Sequence, residues 1–214
     1  MRYSTDDILR EVRIAIDENG SSDQLSTLDD ITTLAIDEII MTKIADAARI
    51  VESNAPIHLL GRGESFSTSI SWETRVGNGS GSTQLPDDFM RLISFQMSDW
   101  RRAVSIAISE DDDLYQLQSS RYPGIRGCPQ NPVVAIVRQP IGLVLEFYSC
   151  TSGDRCYVKR ARYLPIPRIE NGYIDLCEKL RPAIIYYTAY LTCATLGRNE
   201  VASHMLNISK SLMV

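Results

Sequence analysis

Paired carboxylates are the first residues in this chain that could do chemistry. Asp87-Asp88 and Asp111-Asp112-Asp113 hold acidic side chains side by side, the arrangement used for proton transfer or for gripping a hard cation. Asp87-Asp88 follows Leu85-Pro86 directly, so a turn offers a plainer use, with both carboxylates accepting from nearby backbone N–H groups. Asp111–Asp113 reads as a solvated loop, with a calcium site as the functional alternative. His58 and His204 lie in different segments, and neither belongs to a metal-ligand spacing or to a nucleophile–His–carboxylate set. The five cysteines, Cys128, Cys150, Cys156, Cys177 and Cys193, are odd in number and scattered, which is not a disulfide framework. Cys150 and Cys156 flank a tight turn and could lie near each other. In a reducing compartment they read as free thiols packed as small hydrophobes. Gly61-Arg62-Gly63 is too short for a dinucleotide or phosphate-binding fingerprint, and no Gly-Lys-Ser/Thr occurs. This reading yields no catalytic residue, no cofactor and no metal ligand, and the chain is expected not to be an enzyme.

The remaining chemical feature is basic. Arg155, Lys159, Arg160, Arg162 and Arg168 gather in a chain that is acidic overall. Strand alternation puts Arg160 and Arg162 on one face and Lys159 on the other. Three uses stay open: a solvated edge that discourages strand pairing, an ion-pair contact with an acidic neighbouring subunit, and a contact with DNA phosphates.

The chain must position these groups with 214 residues, enough for one large domain or two small ones. Its hydrophobic share of 44% and charged share of 23% are those of an ordinary globular protein. Lys+Arg 22 against Asp+Glu 27 gives a net charge of −5, which argues against a protein whose main task is gripping nucleic acid. The opening Met1–Asp6 has no apolar core and no apolar run approaches the roughly 20 residues that span a bilayer. We therefore expect no secretory signal, no membrane partner, and a protein that stays in the cytoplasm or in a particle assembled there.

Helical period governs both ends. Residues 4–19 read as a helix capped by Ser4 or Thr5, with one narrow stripe of Ile8, Val12, Ala15 and Ile16 and a C-cap at Asn19-Gly20. Residues 28–52, with Thr27 as N-cap, read as a longer helix whose apolar positions spread past one face, Ile31, Ile39, Met41 and Ile44 among them. Residues 176–213 read as helical again, with Pro182 in a first turn, a small-residue body from Ala183 through Tyr187 and Ala194 to Leu196, and a break at Gly197. From Ile57 to Arg168 the pattern changes to short strands and loops. Ser67–Trp72, Phe89–Met97, Val133–Arg138, Leu143–Cys150 and Cys156–Leu164 are the strands expected, with Arg101–Ile108 paired to Phe89–Met97. Thr151-Ser152-Gly153-Asp154 reads as the turn of the clearest hairpin, and residues 76–82 as a flexible Gly/Ser loop. The fold class expected is α+β: a helical bundle from residues 1–56 and 170–214, and an inserted antiparallel β-domain, sandwich or barrel-like, over 57–169.

The stretch that opens the β region is Leu85-Pro86-Asp87-Asp88-Phe89-Met90-Arg91-Leu92. A Leu-Pro-x-Asp-Phe-x-Arg-Leu segment between N-terminal helices and a helical C-terminus, with Tyr186-Tyr187-Thr188-Ala189-Tyr190 opening the latter, resembles head-to-tail connector proteins of tailed bacteriophages. The nearest families are podovirus tail tubular protein A, the tail accessory adaptors, and the ring proteins of crAss-like phages. The resemblance covers most of the chain. The stretch 121–140 matches nothing in the pattern.

That resemblance implies a non-enzymatic structural protein of the virion. It would form a homo-oligomeric ring, a dodecamer in such families, between the portal and the next tail or ring protein, with DNA passing through the lumen without specific binding. Leu85, Pro86, Asp87, Asp88, Phe89, Arg91 and Leu92 are the residues that carry the family motif. A ring needs two different surfaces that meet head to tail. Ile31, Ile39, Met41 and Ile44 on the second helix, with Ala183, Tyr187 and Ala194 on the small-residue helix, are the surfaces nominated. The rival expectation is a β-sandwich binding module for sugar or peptide, which would cluster Trp72, Trp100 and Tyr122 on an open face. An enzyme built around His58 or His204 ranks third.

Overall fold

The computed structural model of this chain describes residues 1–19, 30–66, 69–73, 79–120, 122, 125–151 and 155–214. In chain order the elements are β1 (Arg2–Ser4), α1 (Thr5–Asn19), α2 (Asp30–Asn54), β2 (Glu64–Ser65), β3 (Ser71–Trp72), β4 (Gly81–Gln84), β5 (Phe89–Met97) and β6 (Ile108–Ser109). There follow α3 (Asp113–Leu117), β7 (Val134–Gln139), β8 (Gly142–Phe147), β9 (Val158–Pro165), β10 (Ile169–Glu170), β11 (Tyr173–Asp175), α4 (Arg181–Thr195) and α5 (Asn199–Ser211). The fold class is α+β, helical at both ends and β-rich between. Two compact units divide the chain: residues 1–61 with 166–214, and residues 62–165.

In the helical unit α4 touches α1, α2 and α5. Its sequence explains that central place. Ala183, Ile184, Ile185, Thr188, Ala189, Thr192 and Cys193 are buried and point around most of the helix, so small side chains let neighbouring backbones come close on several sides. The Thr188 and Thr192 hydroxyls donate to Ile184 O at 2.8 Å and Thr188 O at 2.9 Å, which satisfies them inside the bundle. The helix stops as a Schellman motif, the Gly197 and Arg198 N–H groups donating to Ala194 O and Cys193 O. The expected stripe of α1 (Ile8, Val12, Ala15 and Ile16) is buried, and the Ser4 hydroxyl accepts from the Asp6 N–H at 3.3 Å as an N-cap. Residues 27–29 at the start of the second helix, Thr27 among them, lie outside the described residues.

A small three-stranded sheet, ordered β1-β11-β10, belongs to the helical unit. Its hairpin turns through Asn171 and Gly172, both at positive φ, 53° and 79°, with Glu170 opposite Tyr173. That is the two-residue Asn-Gly loop whose twist suits antiparallel strands. The helical body expected over residues 170–214 includes no strand, so this hairpin is an addition to it.

Glu52 is buried beside this sheet's exit and accepts from the Cys177 N–H at 2.8 Å. Burial pushes its carboxyl above the ordinary 4.5, and the Cys177 N–H offsets part of that shift. The folded state therefore holds the proton more tightly than the unfolded chain does. The stability Glu52 contributes is full below about pH 4.5 and is lost as pH rises from there through the folded value. A denaturation series across pH should show that decline in the wild type and a flatter profile in Glu52→Gln, whose amide oxygen can still accept from Cys177.

The β unit holds two sheets, ordered β2-β9-β5 and β3-β4-β8-β7-β6. Phe66, Phe89, Leu92, Phe95, Met97 and Tyr163 from the first meet Leu145, Phe147 and Val134 from the second in one core. β5 spans the expected residues, Phe89–Met97, but its main partner is β9. The expected partner, Arg101–Ile108, pairs with it through the isolated Phe95–Val104 bridge. Its far end, Ile108–Ser109, pairs parallel with β7 instead.

The hairpin expected at Thr151–Asp154 does not form. β8 has both edges taken, by β4 and β7, and β9 has both taken, by β2 and β5. The two strands therefore lie in different sheets, and residues 152–154 lie outside the described residues. So do 67–68 of the expected Ser67–Trp72 strand and 76–78 of the expected flexible loop. The described end of that loop is packed, Ser80 being buried.

Candidate functional site

The motif stretch is a turn welded onto the core. Leu85 donates its N–H to Leu143 O at 2.9 Å, and the Phe89 N–H returns to Pro86 O at 3.1 Å, closing a four-residue turn. Leu85, Phe89 and Leu92 are buried, Pro86 and Arg91 are half-buried, and Asp87 is exposed. The second carboxylate has a use other than capping: the Tyr163 hydroxyl donates to Asp88 Oδ1 at 3.0 Å. The Phe89 and Tyr163 rings stack with centroids 6.0 Å apart. Burial, then the Asp88 carboxylate, holds the Tyr163 phenol well above its usual range, so its hydroxyl keeps its proton to donate. The contact starts β5 at a defined residue. Asp112, in the other acidic run, accepts from the Leu114 N–H at 2.9 Å and caps α3.

Arg155, Lys159 and Arg160 are exposed and form no ion pair among the described residues. Arg162 is half-buried and donates to Gly63 O at 3.2 Å. Arg160 faces Gln96 and Arg162 faces Ser94 across β5, so neither meets a carboxylate there. Arg168 belongs to the helical unit, apart from the other four.

The nominated assembly surface changes more. Ile44 and Ala183 are fully buried inside the helical unit, because the small-residue face of α4 is already used to seat α1, α2 and α5. They are core, and cannot touch another subunit. Ile39, Met41 and Tyr187 are half-buried, Ala194 is exposed, and the side chain of Ile31 lies outside the described residues. What the unit offers instead is a pair of shallow apolar grooves.

One groove, of ≈240 Å³, runs between α1 and α4 and is lined by Glu11, Ile14, Ala15, Arg181, Pro182, Ile185 and Tyr186. The Arg181 guanidinium pairs with Glu11 at its end and lies over the Tyr3 ring. The other, of ≈230 Å³, is formed by α2, α4 and α5 through Ile50, Val51, Asn54, Tyr187, Leu206, Lys210 and Met213. Tyr186 and Tyr187 are successive residues, about 100° apart on the helix, so the grooves open on different sides of α4. Ile14 is 49% exposed in the first and Ile50 37% in the second. The first carries the Glu11–Arg181 ion pair and the second a lysine.

The β unit carries a third, larger groove of ≈680 Å³, lined by Ser69, Ser71, Ser82, Thr83, Gln84, Leu85, Pro86, Asp87, Gln139, Ile141 and Val144. Hydroxyls and amides dominate, and no aromatic ring lines it. The three rings proposed for ligand binding are dispersed. Trp100 is buried against Phe95 and Phe147, Trp72 packs edge-on to Phe147, and Tyr122 stands exposed. His58 and His204 are exposed on the helical unit.

Sequence reasoning missed two constellations. Glu146 accepts from the hydroxyls of Tyr115, at 3.1 Å, and Tyr148, and from the Gln139 amide, which ties α3 to β8. Asp99, Cys150 and Cys156 converge, with one ligand atom from each within 4.8 Å of the others. The Asp99–Cys150 spacing of about fifty residues gave no local signal for the second, and only the cysteine pair could be seen. No helix among the described residues is long and apolar enough to cross a membrane. The chain matches no protein-family model, and comparison with curated proteins finds no match.

Proposed function

We propose that this protein is a head-to-tail connector of a tailed-bacteriophage particle. It is a non-enzymatic chain that closes into a ring between the portal and the next tail component, and DNA passes through the ring. The observation that carries the ring is the pair of apolar grooves on different sides of α4. A head-to-tail contact uses two unlike surfaces of one chain, and rotation at each step closes the circle. Ile14 beside the Glu11–Arg181 ion pair on one face and Ile50 beside Lys210 on the other are unlike in the residues they present. The resemblance of Leu85–Leu92, and of the helix–β–helix order, to connector proteins supplies the particle in which such a ring works. The net charge of −5 suits a lumen that lets DNA slide without holding it.

In this reading the β unit contacts a neighbouring component. Arg155, Lys159 and Arg160 are free to meet acidic side chains there. Mixing the protein with portal rings from the same source and sedimenting them tests it: co-sedimentation at a fixed stoichiometry is expected, and a protein that stays in the supernatant counts against it. The polar ≈680 Å³ groove is the one observation that favours the second reading, a module binding a peptide or sugar. A glycan and peptide binding screen addresses that directly.

A further inference from the structure

We propose that Asp99, Cys150 and Cys156 form a binding site for a divalent cation of the zinc class, which clamps the two sheets of the β unit together. A carboxylate oxygen of Asp99 and the two Sγ atoms lie within 4.8 Å of one another. A tetrahedral zinc with Zn–S bonds of about 2.3 Å needs sulfurs about 3.8 Å apart, so closing onto the ion takes movements of about 1 Å. Two thiolates with one carboxylate select zinc over calcium or magnesium, whose ligands are all oxygen. Three protein ligands leave a fourth position for water or a further ligand.

The carboxylate is already aimed. Asp99 Oδ2 accepts from both the Thr151 N–H and the Thr151 hydroxyl, each at 2.8 Å. Asp99 Oδ1 is buried and has no hydrogen-bond partner among the described residues. An acceptor so placed costs free energy unless something electropositive satisfies it, and a cation held by the adjacent sulfurs does so. Each cysteine binds the ion as a thiolate, its proton leaving to solvent as the metal–sulfur bond forms.

The three ligands come from different parts of the β unit. Asp99 follows β5 in one sheet, Cys150 follows β8 in the other, and Cys156 leads into β9. An ion there joins the end of β5, the end of β8 and the approach to β9. One wall of the site admits no side chain. Gly79 sits at φ +59°, and a Cβ there would lie 2.6 Å from Cys150 O and 2.7 Å from its Cβ.

Cobalt(II) is the probe, added to the reduced full-length chain without oxygen. One equivalent should bind, giving the thiolate-to-cobalt charge-transfer absorption and tetrahedral d–d bands, and zinc should displace it. Cys150→Ser and Cys156→Ser should each lose the two-thiolate spectrum, Asp99→Asn should weaken binding by roughly tenfold or more, and Cys177→Ser should change nothing. Cys156 is half-buried, so its variant keeps the test readable if Cys150→Ser fails to fold. Absence of charge-transfer absorption at saturating cobalt overturns the proposal. So does a spectrum that survives both Cys150→Ser and Cys156→Ser, or one that Cys177→Ser abolishes.

Discussion

Phe95→Ala is expected to lower the stability of the β unit by about 3–5 kcal/mol, the range for removing a large aromatic from a closed core. Phe95 is fully buried. Its ring lies 6.2 Å from Phe66, 5.7 Å from Trp100 and 5.8 Å from Phe147, centroid to centroid. Phe66 and Trp100 flank one sheet and Phe147 belongs to the other, so the ring fills the space that both sheets need. Its backbone is fixed as well, donating to and accepting from Val104 at 2.8 Å, which leaves little room for collapse around a cavity. Urea denaturation read by tryptophan fluorescence checks this cleanly, because both tryptophans, Trp72 and Trp100, lie in the β unit. A loss below about 1 kcal/mol would be too small for a cavity of that size and would mean that the two sheets are not packed through this residue.

The second large effect concerns assembly. Ile14→Asp and Ile50→Asp each put a carboxylate into one of the two grooves while leaving the helical core intact. Both residues are partly exposed, so the monomer's stability should shift by no more than about 0.5 kcal/mol. In a ring each change buries an unpaired charge at every interface, at a cost of about 3–5 kcal/mol per contact. That weakens each association step by roughly a hundredfold to several thousandfold, and neither variant should form rings. Mixed together, the two should form pairs and stop. One chain of the pair contributes its intact α1–α4 groove and the other its intact α2–α5 groove, which makes one good contact and leaves two damaged ends. Analytical ultracentrifugation of each variant and of the mixture reads this out. A two-fold interface, in which each groove meets its own copy, predicts no rescue on mixing.

Local signals carried the parts of this fold that are set locally. The 3.6-residue stripe Ile8, Val12, Ala15 and Ile16 marked the buried side of α1, and Pro86 with Phe89 marked where β5 begins. Gly197 marked the break between α4 and α5. Pairing between distant strands was legible far less well. Leu143–Cys150 and Cys156–Leu164 both alternate and are joined by turn-forming residues, so they read as a hairpin. Which sheet each strand joins depends on free edges elsewhere, and β4, β7, β2 and β5 claim them. The alternating run ending in Ala103–Ile108 misled for a related reason: Ile106 is 77% exposed, and the pattern has no second layer to bury it. β1 has three residues, too few to show a period, and its partner β11 lies some 170 residues away. Asn171-Gly172 was a usable hairpin signal that the helical reading of the C-terminal segment obscured.

The candidate site was legible in composition and not in position. Small residues in α4 were seen as a surface through which a neighbour approaches, and the neighbours turned out to be α1, α2 and α5 of the same chain. Apolar residues that pack inward and those that pack outward look alike in sequence, since burial is a property of the bundle. The groove at Ile14 needed α1 and α4 in place before it existed, and the groove at Ile50 needed α2, α4 and α5.

The central claim is that this chain assembles head to tail into a closed ring. The most direct test is the solution mass of the wild-type protein, 24.0 kDa per chain, measured alone and then with portal protein from the same source. The account predicts a single closed species of many copies, or a monomer that becomes one on the portal. A monomer whose mass is indifferent to concentration and to portal would contradict it.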